Sequence, residues 1–333
     1  MNKRKNDFQF LIPTLVILSA LFISGCQPSE SAVQTTMAET QEAQPTEMPT
    51  TIPTNTPEES TEAPLKAPTV TPTATEVVDV APALPPEPIP QTILVSDGTE
   101  LMGQLFPADR SDAPLLVLFH WALGDQRDWD ALAPWLQNRG YQPELPDAPP
   151  PWLDPSWFPA MPEGVSFHVL TFTFRGCEDG CQAFDREGWL LDVAGVMDHL
   201  QVLEYVQFSQ VATVGASIGA DGAPYGCHYY NEKVGGCQGA LSLSPGGYLT
   251  IPYPEEVDAL GSEDPPKPAW CLFSSEDGQS ATPCEKASGD HYRAISYPGG
   301  AHGMAMLKQG QEPNPLEITL EFLNLAGLCE NCR

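Results

Sequence analysis

Basic residues are scarce in this 333-residue chain, with 15 lysines and arginines against 44 aspartates and glutamates. The formal net charge at neutral pH is −29. Nucleic-acid binding needs a concentrated positive surface that neutralises phosphates, so the charge balance argues against nucleic acid as a partner. A strongly acidic chain is instead typical of a soluble, exported protein whose molecules repel one another.

The sequence also lacks the spacings that mark metal and nucleotide sites, so we expect no metal and no other cofactor. Nine cysteines are present, of which Cys26 stands alone. The other eight form close neighbours: Cys177 and Cys181, Cys227 and Cys237, Cys271 and Cys284, and Cys329 and Cys332. An even number of closely spaced cysteines in an exported chain predicts disulfides, and we expect neighbours to pair. The alternative is zinc at the first or the last pair, although neither has a convincing second pair of ligands.

Residues 1–25 have the layout of an export signal. A basic start is followed by an apolar run from Phe8 to Ile23, which is too short and wrongly flanked for a membrane span. The run ends in Ile23-Ser-Gly-Cys26, which resembles the lipobox of bacterial lipoproteins. The resemblance implies cleavage before Cys26, a lipid on Cys26 and an extracytoplasmic protein anchored to a bacterial membrane. The alternative is an ordinary cleaved signal peptide with a chance cysteine.

Residues 26–90 have few large apolar side chains and are rich in threonine and proline. Such a segment cannot bury enough surface to offset the entropy of ordering. We therefore predict a disordered linker over 26–90 and a single folded domain over 91–333. The sequence sets no oligomeric state.

Strand and helix patterns alternate along the folded domain. A hairpin is predicted over 92–106, followed by apolar strands near 113–120, 167–174, 211–216, 239–244, 268–275 and 292–297. Helical patterns lie near 129–139, after Ser217, and over 188–203 and 315–325. This alternation predicts the α/β class, with a mostly parallel, doubly wound sheet flanked by helices. The connection from Pro245 to Pro268 is expected to be short and turn-rich, which leaves little material for a large lid.

A proline-rich insert occupies residues 142–163 and contains Trp152, Trp157 and Phe158. Because it follows a helix, and such helices end at the opposite edge of the sheet from where they start, we expect it to lie away from Ser217. It would then pack against its own domain or form a partner surface, and a substrate lid is the alternative.

The stretch from Val211 to Ala223 reads as a buried strand, a G-x-S-x-G turn centred on Ser217, and the start of a helix. A nucleophilic serine needs this context, because a sharp turn lifts its hydroxyl above the sheet. Glycines at 215 and 219 let the strand and the helix pass closely. The alternative is an ordinary glycine–serine turn.

Two further residue types follow later strands. Asp277 follows the strand at 268–275, and His302 follows the strand at 292–297. The order serine, aspartate, histidine is that of the α/β-hydrolase fold, with all three at the carboxyl ends of strands. Glu276 is the competing acid, since a strand-end turn can aim either neighbour inward.

Residues from about 91 to 326 resemble the α/β-hydrolases of the dienelactone hydrolase-like, small esterase type. The matching segments are Gly215-Ala-Ser-Ile-Gly219, Ser275-Glu-Asp277 and Gly300-Ala-His-Gly303, with Phe119-His120 opening the oxyanion loop. The resemblance implies a serine hydrolase that cleaves a carboxylic ester or similar acyl bond of a small molecule. Its triad would be Ser217, His302 and Asp277, and the backbone N–H groups of Ile218 and Trp121 would form the oxyanion hole.

Two positions depart from that family. Dienelactone hydrolases use a cysteine nucleophile, so serine at position 217 favours general ester chemistry. Many relatives have glycine where this chain has Trp121. We expect the preceding residue, His120, to brace the oxyanion loop. The competing functions are a peptidase of the same fold and a non-catalytic cell-surface binding module.

Overall fold

The computed structural model describes residues 84–203, 208, 210–330 and 332. The predicted signal peptide (1–25), the lipidation residue Cys26 and most of the predicted linker (26–90) lie outside the described residues. The first strand begins at Ile89, close to the predicted start of the folded domain at 91. No helix among the described residues is long and apolar enough to cross a membrane.

The described chain is built on a single eight-stranded sheet. Its strands are β1 (Ile89–Leu94), β2 (Glu100–Phe106), β3 (Leu115–Phe119), β4 (His168–Phe172), β5 (Val211–Ala216), β6 (Cys237–Leu243), β7 (Ala269–Ser274) and β8 (Tyr292–Tyr297). They lie in the order β1-β2-β4-β3-β5-β6-β7-β8. β1 and β2 form the predicted hairpin, β2 pairs antiparallel with β4, and all other pairs are parallel. The predicted α/β class with a mostly parallel, doubly wound sheet is confirmed.

Helices cover both faces of the sheet. They are α1 (Leu132–Gln137), α2 (Arg186–His199), α3 (Ile218–Lys233), α4 (Tyr253–Gly261), α5 (Gly278–Lys286) and α6 (Pro315–Leu325). Side chains of α2 to α5 fill one core, and side chains of α1 and α6 fill the other. Along β3, Leu115, Val117 and Phe119 enter the first core, while Leu116 and Leu118 enter the second. Burial on both faces explains why this strand reads as an unbroken apolar run.

The connection between β6 and β7 differs from its prediction, because it contains the helix α4. Three features of the sequence favour that helix: a proline in the first turn, Glu255 and Glu256 next to it, and apolar residues at helical spacing. Tyr253, Val257 and Leu260 supply that spacing and are all buried. The turn-forming residues on either side of this short segment masked its periodicity.

The insert at 142–163 packs against its own domain as predicted, but the prediction that it lies away from Ser217 is wrong for one part. One part of it lies along α1, where Trp135 Nε1 donates to the carbonyl of Pro159 at 2.8 Å. Another part reaches the edge of the sheet that carries Ser217, because Trp152 packs edge-on against Trp121 with ring centroids 5.3 Å apart. Helix alternation fixes where a loop begins, and it does not fix where the middle of a 22-residue segment returns.

Four disulfides join the neighbouring cysteines as predicted: Cys177 to Cys181, Cys227 to Cys237, Cys271 to Cys284, and Cys329 to Cys332. The zinc alternative is excluded at the first and last pairs, because their sulfurs are bonded to each other. Disulfides at this density are typical of an oxidising, extracytoplasmic compartment.

Candidate active site

Ser217 stands on a strained turn between β5 and α3. Its φ of 54° and ψ of −113° lie outside the regions that non-glycine residues favour. Such a conformation costs about 1–3 kcal/mol and persists only where the surroundings enforce it. Its backbone N–H donates to the carbonyl of Leu243 at 2.9 Å, which ties the turn to β6.

The two glycines of the motif are needed for close packing of the backbone. A Cβ atom at Gly215 would collide with the carbonyl of Gly219, and a Cβ atom at Gly219 would collide with the carbonyl of Phe119. Helix α3 therefore starts directly against β5 and β3. This close approach explains the residue type at both positions.

His302 lies between Ser217 and Asp277. Its Nε2 atom is 2.9 Å from Ser217 Oγ, and its Nδ1 atom is 2.6 Å from Asp277 Oδ2. Ser217 is only 4% exposed, and the side chains of His302 and Asp277 are 29% and 12% exposed. The structure thus brings together three side chains that are spread over 86 residues of sequence, in one hydrogen-bonded line.

The neighbouring acid, Glu276, is not part of this line. Its side chain is exposed, and its backbone N–H donates to the carbonyl of Gly299 at 2.9 Å. That bond fixes the turn after β7 so that Asp277, the next residue, faces His302.

His120 fixes the loop that follows β3. It is fully buried, with Nδ1 2.6 Å from the carbonyl of Trp121 and Nε2 accepting the N–H of Phe174 at 2.9 Å. Burial lowers the pKa of His120 to about 4, so the ring is neutral at physiological pH. Acceptance at Nε2 puts the remaining proton on Nδ1, where it is donated to Trp121. His120 therefore braces the loop, as expected from the sequence.

The small disulfide loop at Cys177–Cys181 also contacts the loop that follows β3. The N–H of Cys181 donates to the carbonyl of Ala122 at 2.8 Å. Arg127 adds hydrogen bonds to the carbonyl of Glu178 and, at 2.7 Å, to the carboxylate of Asp179. The loop that carries Trp121 is therefore fixed on two sides.

The two amides expected to form the oxyanion hole belong to Trp121 and Ile218. Ile218 is the first residue of α3, and Trp121 follows β3, the strand beside β5. Across the described part of the chain, neither N–H donates to another backbone carbonyl. The Trp121 ring lies against Gly303, where a Cβ atom would be 2.8 Å from Trp121 Cε3 and 3.5 Å from Ser217 Cβ. The indole therefore occupies space immediately beside the serine.

Tyr248 is a residue at this site that the sequence did not reveal. Its hydroxyl lies 3.4 Å from His302 Nε2, and the two rings meet edge-on with centroids 6.1 Å apart. It sits in the loop after β6, where Gly246-Gly-Tyr248 resembles an ordinary turn. The only signal was its place after a strand next to β5, which is weak without a motif.

The mouth of the site has an apolar rim. Phe184 is 63% exposed and packs edge-on against Tyr248 with centroids 6.4 Å apart. Exposed apolar groups at a functional cleft are suited to the carbon skeleton of a substrate.

The other histidines make structural contacts. His168 Nδ1 accepts the N–H of Ala108 at 3.0 Å, and His199 contacts Gln91. His291 lies 2.9 Å from the carbonyl of Val257, and His228 lies within 4 Å of two carboxylates on the face opposite α6. Within the described residues, no group of three histidine, cysteine, aspartate or glutamate side chains could hold a metal ion.

No protein-family model matches the sequence, and no curated protein matches it. Three similar solved structures illustrate the likeness in fold. Esterase Pf2001 of Pyrococcus furiosus is 16% identical over 72% of this chain and 92% of its own, with a TM-score of 0.49. Dienelactone hydrolase from Anabaena variabilis is 14% identical over 72% and 97%, with a TM-score of 0.49. Est1E from Butyrivibrio proteoclasticus is 14% identical over 72% and 97%, with a TM-score of 0.46.

The chain has the α/β-hydrolase fold. The strand order, the antiparallel β2 and the serine turn directly after β5 carry this conclusion. Because a fold hosts many functions, the activity is argued from the side chains at the site.

Proposed function

We propose that this protein is a serine hydrolase that cleaves a carboxylic ester, or a similar acyl bond, through an acyl-enzyme. One observation carries the proposal: the unbroken line from Ser217 Oγ to His302 Nε2 at 2.9 Å and from His302 Nδ1 to Asp277 Oδ2 at 2.6 Å. A serine hydroxyl is a poor nucleophile at neutral pH, and an adjacent base with an orienting acid corrects this.

Each residue has a role in the proposed reaction. His302 takes the proton of Ser217 as the hydroxyl attacks the acyl carbon, and it returns that proton to the departing alcohol. Asp277 holds the Nδ1 proton, which fixes the tautomer and offsets the charge of the imidazolium. The N–H groups of Ile218 and Trp121 stabilise the oxyanion, each contributing about 3 kcal/mol. Water then repeats the sequence on the acyl-enzyme.

A fluorophosphonate probe tests this proposal. The full-length protein should be labelled at Ser217, and Ser217→Ala should abolish both labelling and the hydrolysis of p-nitrophenyl acetate. Ser262→Ala is the matched control, because this serine lies on the surface at the end of α4 and should leave both unchanged. Absence of labelling in folded protein would overturn the proposal in favour of a non-catalytic binding module.

The same assay separates ester from peptide cleavage. Faster turnover of p-nitrophenyl acetate than of aminoacyl anilides is the expected result. The reverse preference would assign the site to a peptidase of the same fold.

We also propose that the hydrolase is held at a bacterial membrane by a lipid on Cys26. The lipobox-like Ile23-Ser-Gly-Cys26 supports this, together with four disulfides that suit an extracytoplasmic location. Cells fed a clickable palmitate analogue should label the wild-type protein and not Cys26→Ala. Equal labelling of both would refute the anchor and leave the hydrolase proposal intact.

A further inference from the structure

Tyr248 lies on the opposite flank of Ser217 from the loop of Trp121. Trp121 follows β3 and Tyr248 follows β6, and these strands are the two neighbours of β5. The two N–H groups proposed for the oxyanion, on Trp121 and Ile218, are therefore separated from the Tyr248 hydroxyl by the serine and the imidazole. The phenol borders His302 Nε2, the atom that hands a proton to the departing oxygen.

The loop that carries Tyr248 is held rigidly. Asp221 in α3 is 2% exposed, and its carboxylate accepts the N–H groups of Gly246, at 3.3 Å, and of Tyr248 itself. Arg186 donates to the carbonyls of Gly247, at 3.1 Å, and of Leu249. A buried carboxylate bound by backbone amides and a guanidinium bound by carbonyls fix the loop from both sides.

The ring of Tyr248 is also fixed in direction. It folds over Gly246, where a Cβ atom would collide with the ring and the hydroxyl. Phe184 and His302 pack against its two sides edge-on. The phenol is therefore aimed at His302 Nε2, and among the described residues no other side chain makes a hydrogen bond to its hydroxyl.

At neutral pH the phenol is protonated and can donate. Burial raises the pKa of Tyr248 to about 12. A neutral hydroxyl of this kind is suited to stabilising charge that develops on a nearby oxygen without giving up its own proton.

We propose that Tyr248 is a catalytic residue that donates a hydrogen bond to the leaving-group oxygen of the substrate, which adapts the site to esters of aliphatic alcohols. This inference rests on the proposed serine hydrolase function. When the tetrahedral intermediate collapses, the bond between the acyl carbon and the leaving oxygen breaks, and its electron pair stays on that oxygen. The imidazolium Nε2 proton moves to the same oxygen, while Tyr248 keeps its proton and shares it through the hydrogen bond. Aliphatic alkoxides are strongly basic, so they benefit most from a second donor.

The test is Tyr248→Phe in the full-length protein, assayed on acetate esters whose alcohols differ in acidity. With ethyl acetate, whose leaving group is poor, kcat/KM should fall about 10- to 100-fold. With p-nitrophenyl acetate, whose leaving group needs no assistance, kcat/KM should change by less than about threefold. A plot of log kcat/KM against leaving-group pKa should be steeper for the variant than for the wild type. Tyr230→Phe, a buried tyrosine on α3, is the matched control and should reproduce the wild-type slope.

Labelling by the fluorophosphonate probe separates this inference from the function on which it rests. The Tyr248→Phe variant should be labelled at Ser217 like the wild type. Equal losses on both esters would overturn the leaving-group role, because a general disturbance of the site does not depend on the alcohol. Unchanged activity on both esters would overturn it as well. A wild-type protein that hydrolyses neither ester and takes no label would instead refute the proposed function.

Discussion

The indole of Trp152 packs edge-on against the indole of Trp121, with ring centroids 5.3 Å apart. Trp152 also donates its Nε1 proton to Asp128 at 3.3 Å, so its ring is held at both ends. This contact connects the proline-rich insert at 142–163 to the loop that bears a proposed oxyanion donor. The insert therefore supports the position of Trp121 beside Ser217.

Loss of that support should lower activity. We expect Trp152→Ala to reduce kcat/KM for p-nitrophenyl acetate about tenfold, because small displacements of a catalytic donor are costly. Phe158→Ala is the control from the same insert, since Phe158 packs on Trp135 of α1 and on Trp157. Initial rates and far-ultraviolet circular dichroism of both variants provide the measurement. Equal losses in the two variants would show that the insert acts only through overall stability.

The two adjacent acids after β7 should respond very differently to substitution. Asp277→Asn should lower kcat about 10³- to 10⁴-fold, because the amide can hold the imidazole in the wrong tautomer. Glu276→Gln should leave kcat within about twofold, since its side chain is exposed and makes no bond to His302 among the described contacts. Steady-state kinetics on p-nitrophenyl acetate checks both. A large loss in Glu276→Gln with a small one in Asp277→Asn would reverse the assignment of the acid.

Glu256 in α4 should make the folded protein less stable as pH rises. The residue is 6% exposed, and burial raises its pKa from 4.5 to about 7, opposed by the nearby His228. The folded state therefore binds this proton more tightly than the unfolded chain does. The resulting stability is fully present below pH 4.5 and is lost as pH rises through 7, a change of up to about 3 kcal/mol.

Urea unfolding at pH 5 and pH 8 tests this dependence. Glu256→Gln should be more stable than the wild type at pH 8, and the difference should shrink at pH 5. The exposed neighbour Glu255 supplies the control, and Glu255→Gln should follow the wild type at both values. A constant difference between Glu256→Gln and wild type across pH would contradict the prediction.

The disulfide between Cys271 and Cys284 brackets the turn that carries Asp277. Removing it in a Cys271→Ala, Cys284→Ala double variant should lower kcat, because the acid would no longer be clamped between β7 and α5. The free energy of unfolding should fall by about 3 kcal/mol, the value expected for a loop of this length. The matched control removes Cys329–Cys332, which closes a loop with a separation of only 3 residues, and should leave kcat unchanged. A double variant of Cys271 and Cys284 with wild-type turnover would refute the clamp.

Much of the sheet could be predicted because strands buried on both faces are mostly apolar, and β3 is an unbroken apolar run. The serine turn was recognisable because any side chain at position 215 or 219 would collide with the backbone. Glycine is therefore needed at both positions, two residues on either side of the serine. Asp277 and His302 followed from their places after strands. These features depend on local sequence and on the order of elements along the chain.

Tyr248 and the path of the insert could not be predicted for the opposite reason. The direction of the Tyr248 ring depends on Asp221, 27 residues earlier, and on a glycine two residues before it. Trp152 meets Trp121 across 31 residues of chain with no regular pattern between them. Contacts between irregular loops produce no regular spacing of residues in the sequence, so they become visible only in the folded structure.

His302 follows the edge strand β8 and lies 85 residues beyond Ser217. During synthesis, Ser217 and the loops that carry Trp121 and Tyr248 therefore leave the ribosome well before His302, the proposed base. A nascent or prematurely terminated polypeptide that ends before residue 302 lacks the imidazole that contacts Ser217 Oγ. Under the proposed function such a product cannot hydrolyse an ester, and activity requires translation beyond β8 to residue 302.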